Sequence, residues 1–353
     1  MILFRADGNS KIGSGHVMRC LSLADAGREA GVDCRFVTAG AEFQEIIQDR
    51  GYPCAVLGTD YADMESELPM LTTILSDEKP EAVVVDSYCV TPNYLSTLRP
   101  FGKLIYIDDL SAFAYPVDVL VNYGFGAENA GYDALYRGKQ APMMLLGLKY
   151  APLRREFQGL SFKHPAETVK DVFVSTGGAD PEHVAVRLIE GLQNRQDMAG
   201  YRFHLVIGPM NRDGGQIAAL APMLSNVSIH RNVRNMRELM TSCDVAISAG
   251  GSTILELCAC GLPIITYSLA DNQAGIKKFA EEGFALFAGE ARGNESFVAS
   301  VFDLLNNLCR DYNRRKTMAE KVFHLVDGWG AGRVVEALRP ECLDRHDIMK
   351  RKL

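Results

Sequence analysis

His16 is the residue in this 353-residue chain best placed to move a proton. It closes a polar, glycine-punctuated stretch, Arg5-Ala6-Asp7-Gly8-Asn9-Ser10-Lys11-Ile12-Gly13-Ser14-Gly15-His16. Before this stretch lies a short apolar run, Met1 to Phe4. After it comes a helical pattern in which Val17, Leu21 and Ala24 recur. A strand–loop–helix unit puts such a loop at the C-terminal end of a strand, where open α/β sheets hold their ligands. Gly13 and Gly15 let the backbone turn sharply and approach a bound group. Helix N-termini disfavour positive charge, so an imidazole there suits a neutral base; local packing or capping is the other use of the residue. The stretch is no dinucleotide fingerprint, because the third glycine falls at Met18. Nor is it a phosphate-binding P-loop, because no Gly-Lys-Ser/Thr follows.

Other loops offer complementary chemistry. In Val245-Ala246-Ile247-Ser248-Ala249-Gly250-Gly251-Ser252-Thr253-Ile254-Leu255-Glu256, a buried strand runs through Gly-Gly-Ser-Thr into a helix. Amides at the helix start and two hydroxyls suit a phosphate or diphosphate. Glu256, one turn beyond Ser252, suits a pair of ribose hydroxyls; a plain capped helix with an exposed Glu256 is the alternative. Asp271-Asn272-Gln273 follows the next strand and can reach a polar ligand or cap the helix that begins there. Ser175-Thr176-Gly177-Gly178-Ala179-Asp180-Pro181 repeats the theme, with Asp180 read as N-cap, Pro181 as first helical residue, and Gly177 and Gly178 as ligand contacts. Asp86-Ser87-Tyr88 and Asp108-Asp109 end two further strands. No His or third carboxylate at ligand spacing completes a metal site there, and no metal or cofactor is expected.

These loops need a scaffold of alternating strands and helices. Strand patterns fall at 2–5, 35–38, 54–57, 82–86, 104–107 and 117–121, then at 171–175, 202–207, 227–229, 245–248 and 263–267. Helical patterns lie between many of them, and 295–338 is helical. The stretch 122–160 reads as irregular. The expected fold is α/β: two Rossmann-like doubly wound domains, 1–155 and 156–338, with a cleft between them and a tail at 339–353. The chain is 47% apolar and 23% charged with net charge −7, which disfavours nucleic acid and anionic membranes as partners. It has no apolar run long enough to span a membrane and no leader pattern. Nine scattered cysteines without a CxxC pair fit a reducing compartment. A cytoplasmic enzyme, with monomer favoured, is the expectation.

Together these residues resemble a known family: the UDP-sugar hydrolases of pseudaminic acid biosynthesis (UDP-2,4-diacetamido-2,4,6-trideoxy-β-L-altropyranose hydrolase) and their spore-coat polysaccharide relatives. The resemblance rests on Arg5-x-Asp7 with Ile12-Gly13-Ser14-Gly15-His16-Val17-Met18-Arg19-Cys20. It also rests on Ala249-Gly250-Gly251-Ser252-Thr253 with Glu256, on Gly261-Leu262-Pro263, and on Leu269-Ala270-Asp271-Asn272-Gln273. It implies the glycosyltransferase-B fold, a catalytic His16, and a sugar held by Tyr88, Asn272 and Gln273 with Arg5, Asp7, Gly13, Gly15 and Arg19. It places UDP at Gly177, Gly178, Gly250, Gly251, Ser252, Thr253, Glu256 and Asp271. Where the family has Asn-Gln-Asn after the last first-domain strand, this chain has Asn122-Tyr123-Gly124. A UDP-sugar is then the expected small-molecule partner, with a sugar transferase or a non-catalytic sugar-nucleotide binder as the alternatives.

Overall fold

Runs of β-branched and aromatic residues buried on both faces build two separate parallel sheets, as chains of βαβ units require. The computed structural model describes residues 1–269 and 274–338. The first sheet holds β1 (Ile2–Ala6), β2 (Cys34–Thr38), β3 (Cys54–Val56), β4 (Ala82–Asp86), β5 (Lys103–Ile107), β6 (Val119–Asn122) and β7 (Met143–Leu146). Its order is β3-β2-β1-β4-β5-β6-β7. Between these strands run α1 (Gly15–Glu29), α2 (Gln44–Asp49), α3 (Leu68–Glu78), α4 (Pro92–Leu98) and α5 (Tyr132–Leu135). The second sheet holds β8 (Asp171–Ser175), β9 (Arg202–Ile207), β10 (Val227–Arg231), β11 (Val245–Ala249), β12 (Ile264–Ser268) and β13 (Leu286–Glu290), in the order β10-β9-β8-β11-β12-β13. Its helices are α6 (Val184–Gln193), α7 (Gly214–Leu220), α8 (Met236–Thr241), α9 (Thr253–Ala259), α10 (Ala274–Glu281), α11 (Phe297–Arg310) and α12 (Tyr312–Phe323); α13 (Gly330–Ala337) follows. Among the described residues no helix is long and apolar enough to cross a membrane.

The strand order reverses between β1 and β4 in the first sheet and between β8 and β11 in the second. At such a switch point the connections leave in opposite directions and open a crevice beyond the strand ends. The register places Asp86 opposite Ala6 at the first switch, and Ser248 opposite Ser175 at the second.

By contacts the described residues divide into 1–9, 16–155 and 329–338 in one unit, and 10–15 with the described part of 156–328 in the other. Helix α13 therefore groups with the first unit, which corrects the expectation that the second domain runs to residue 338. Gly330 packs so closely that a Cβ there would lie 2.2 Å from the Ala151 carbonyl oxygen. Arg333 donates to the Lys149 carbonyl at 2.9 Å, and Lys103 Nζ to that of Ala337 at 3.0 Å. Four elements escaped the sequence reading. α5 and β7 lie in the stretch read as irregular, β13 contains Gly289, and α7 opens on two glycines.

The core strands also carry charge. Arg5 of β1 is 0% exposed, as is its partner Glu67. Arg5 Nε and Nη2 donate to the two Glu67 oxygens at 2.7 and 2.5 Å, and Nη1 donates to Asp7 at 2.5 Å. Tyr94 adds a hydroxyl to Glu67 at 2.6 Å. Burial opposes the charge, but Glu67 and Asp7 outweigh it and push the Arg5 guanidinium further toward its protonated form. Removing one member of such a pair strands the other charge, so Glu67→Ala is expected to cost about 3–5 kcal/mol of stability. Urea unfolding checks this; a loss below about 1 kcal/mol, the scale of surface pairs, would contradict it.

Candidate functional site

The first switch point assembles a charged cluster around His16. Helix α1 begins at Gly15, so His16 sits in its first turn above the ends of β1 and β4, 4% exposed. Its Nδ1 lies 2.6 Å from Asp86 Oδ1, and Asp86 is fully buried. Arg19, one turn on along the same helix, grips the carboxylate with both arms: Nε to Oδ2 and Nη2 to Oδ1, each at 2.5 Å. Its Nη1 donates to the Tyr123 hydroxyl at 2.7 Å and lies 3.6 Å from Asp109. Tyr88, 37% exposed, packs edge-on to the imidazole with ring centres 4.6 Å apart, and donates its hydroxyl to Asp109 at 2.9 Å.

Partners fix the tautomer. An ionised carboxylate only accepts, so His16 Nδ1 carries a proton and donates it to Asp86. The 3.0 Å approach of Arg19 Nη2 to Nδ1 is then two N–H groups converging on one oxygen. Burial alone raises a carboxyl pKa, but Arg19 and then His16 outweigh it here and hold Asp86 well below the usual carboxylate range. The same pairing outweighs burial at Arg19 and keeps the guanidinium charged. The result is an imidazole held at Nδ1 by a buried carboxylate.

The tandem acids divide their roles. Asp108 is buried and accepts from the Leu110 and Ser111 amides and from the Tyr115 and Tyr132 hydroxyls, so it holds the loop together. Asp109 is the half-exposed one, beside Tyr88 and Arg19. Asp7 is 4% exposed, held by Arg5 and by the Ala39 amide at 2.7 Å. Of the residues expected around a sugar, Arg5 and Asp7 thus lie beneath the loop, Arg19 is turned onto Asp86, and Tyr88 flanks His16. Gly13 has φ +75°, a conformation that favours glycine, and the space beside it and beside Gly15 is open. Tyr123 was not anticipated at the site. Asp86 and Asp109 were seen as strand-end residues, but not as the partners of His16 and of Tyr88.

At the second switch point the glycine loops follow β8 and β11. Gly177 has φ +85°, and a Cβ there or at Gly251 would meet nothing within 4 Å. Gly250 is glycine for another reason: its Cβ position lies 3.0–3.1 Å from the Ile276 side chain of α10. The first turn of α9 is tight, with Ile254 N bonded to Gly251 O and Leu255 N to Ser252 O. Gly250 N and Gly251 N bond to Tyr267 O and Ala249 O. Among the described residues the amides of Ser252 and Thr253 take no backbone partner, and the exposed Ser252 makes no capping bond of its own. Glu256 is half-buried on α9. Asp180 accepts from Val184 N and Ala185 N at 2.9 Å, but α6 begins only at Val184 with His183 at the N-cap position, so Asp180 is not the N-cap residue and Pro181 is not in the helix. Gly261 (φ +66°) closes α9 in a Schellman motif, with Leu262 N bonded to Leu257 O. Asp271, Asn272 and Gln273 lie outside the described residues.

Two parallel α/β sheets of this kind are shared with Acinetobacter baumannii MurG, which is 13% identical and superposes with a TM-score of 0.65 over 96% of this chain and 98% of that one. The fold is GT-B. Residues 172–326 match the glycosyltransferase family 28 C-terminal domain. UDP-GlcNAc 2-epimerase from Neisseria meningitidis bound to UDP-GlcNAc also superposes, with a TM-score of 0.65 at 13% identity, over 96% and 99% of the two chains. In sequence the chain is similar to an uncharacterised protein of Methanocaldococcus jannaschii, 26% identical over 273 residues, 73% of this chain and 54% of that protein. It is also similar to the UDP-2,4-diacetamido-2,4,6-trideoxy-β-L-altropyranose hydrolase of Campylobacter jejuni, 23% identical over 257 residues, 72% of this chain and 86% of that enzyme. The chain thus spans about half the length of the archaeal relative and most of the bacterial one.

The Asp86–Arg19 pair makes a prediction about acid stability. The folded-state value of Asp86 lies below that of an unfolded aspartate, about 3.9. Its contribution is therefore complete above about pH 5 and is lost as pH falls below about 4. The stability gap between the wild type and Asp86→Asn, measured by urea unfolding, should narrow from about pH 5 down to about pH 3. A gap that widens over that range would contradict the pairing.

Proposed function

We propose that this GT-B protein hydrolyses a UDP-linked 2,4-diacetamido-2,4,6-trideoxy sugar to free sugar and UDP, in nonulosonate biosynthesis of the pseudaminic acid type. The observation that carries the reading is the His16–Asp86 pair, with Nδ1 committed to the buried carboxylate at 2.6 Å. The similarity to the Campylobacter jejuni hydrolase supports water as the nucleophile.

In this reading Nε2 takes a proton from water as the water oxygen bonds to the anomeric carbon. The bond from that carbon to the diphosphate oxygen breaks, and its electron pair leaves with UDP. A single displacement inverts the anomeric centre. The second unit holds UDP through Gly177, Gly178, Gly250, Gly251, Ser252, Thr253 and Glu256, with Asp271. Fixed backbone dipoles there stabilise the charge that develops on the leaving group. Tyr88, Gly13 and Gly15, with Asn272 and Gln273, face the sugar. Arg5, Asp7 and Arg19 act as positioning residues, because the first two are buried and the third is spent on Asp86. No step passes through a metal, so activity is expected to survive a chelator. The protein works in the cytoplasm, with a monomer the favoured state.

The family 28 match and the likeness to MurG favour a second reading, in which His16 deprotonates an acceptor hydroxyl instead of water. One assay separates the two: incubation with the UDP-diacetamido sugar and no acceptor. Hydrolysis predicts UDP release to completion, whereas release only after an acceptor is added supports the transferase. In the same assay His16→Ala should fold normally and lose about 10²–10⁴-fold in kcat, the usual worth of a general base. Undiminished turnover in that variant would remove His16 from the mechanism.

A further inference from the structure

The loop between β9 and α7, residues 208–213, has no part in the chemistry above, yet it is fastened along the whole of the glycine loop that follows β8. The two strands are neighbours, with Ser175 opposite Val206, so their loops leave the sheet side by side. Gly208 lies so close that a Cβ there would sit 2.4 Å from the carbonyl oxygens of both Gly177 and Gly178, and 2.6 Å from Gly178 Cα. Those are backbone atoms with no side-chain freedom to yield. Met210 N donates to the Gly178 carbonyl at 3.0 Å. Asn211 Nδ2 lies 3.4 Å from Asp180 Oδ2, and His183 Nδ1 lies 2.8–2.9 Å from the Asp213 carboxylate.

The fastened loop is one that resists its own shape. Gly177 has φ +85°, and two non-glycine residues, Asp180 at φ +51° and His183 at φ +54°, also occupy the left-handed region. L-residues hold that conformation only where surrounding contacts impose it. The carbonyls of Gly177 and Gly178 are turned onto Gly208 and Met210, while the Cβ direction at Gly177 is open.

We propose that the β9–α7 loop is the positioning element of the glycine loop, with Gly208 and Asp213 setting the affinity for a nucleoside diphosphate without touching it. This rests on the reading that Gly177 and Gly178 contact UDP. At position 208 a side chain larger than hydrogen displaces both carbonyls, and with them the backbone that faces the diphosphate. Loss of Asp213 frees His183 and the far end of the same loop.

The experiment measures UDP binding by calorimetry, and kcat and KM on the UDP-sugar, for the wild type, Gly208→Ala and Asp213→Ala, with thermal unfolding as the fold control. Gly208→Ala should raise Kd for UDP and KM on the order of tenfold or more, with kcat within about twofold, the pattern of lost uniform binding. Asp213→Ala should raise both by roughly threefold, again with kcat retained. A folded Gly208→Ala with wild-type Kd overturns the proposal, and so does a fall in kcat at unchanged KM. If Gly208→Ala does not fold, wild-type values for Asp213→Ala overturn it instead. A wild-type protein that binds no UDP overturns the nucleotide reading on which the proposal stands, an outcome distinct from the others.

Discussion

The site in the first unit depends on the fully buried carboxylate of Asp86. An ionised side chain out of water needs a full set of partners, and their positions dictate the local structure. Arg19 supplies two donors and His16 a third. Because positions 16 and 19 lie three apart on α1, one helix face presents both groups to one carboxylate. The arrangement also needs β4 beside β1, since only that pairing brings Asp86 alongside the start of the loop that leads to His16. Arg19 is in turn held from the end of β6 by Tyr123. The orientation of the imidazole is thus a property of the sheet.

The second unit meets a different constraint, the close approach of backbone to backbone. Its glycines divide by what they permit. Gly177 and Gly251 leave open space, Gly250 makes room for Ile276, and Gly208 makes room for the carbonyls of its neighbour loop. An anion-binding surface made of amides has no side chains to adjust, so its shape is set by the packing behind it.

Much of this was legible in the sequence for physical reasons. Parallel strands buried on both faces leave uninterrupted apolar runs such as Val83–Val85, and glycine-punctuated loops after them mark the ends where ligands bind. The His16 loop and the Gly250–Thr253 turn stood out on those grounds. What could not be read is what depends on strand order. Asp86 lies seventy positions from His16, and nothing local says that β4 rather than β3 lies beside β1. Arg5 was taken for a sugar contact, because a lone arginine at a strand end gives no sign that Glu67 waits behind it. Tyr123 fell at a departure from the family pattern and proved to be the hydroxyl that steadies Arg19. β13 and α7 were hidden by their glycines, whose low strand and helix preference was outweighed by tertiary packing.

The central claim is that His16, oriented by Asp86, delivers water to the anomeric carbon of a UDP-sugar. The most direct test is turnover of the UDP-2,4-diacetamido sugar in ¹⁸O-water, with mass analysis of both products. The account predicts label in the free sugar and none in UDP. Label in the UDP phosphate would mean attack at phosphorus, and would contradict it.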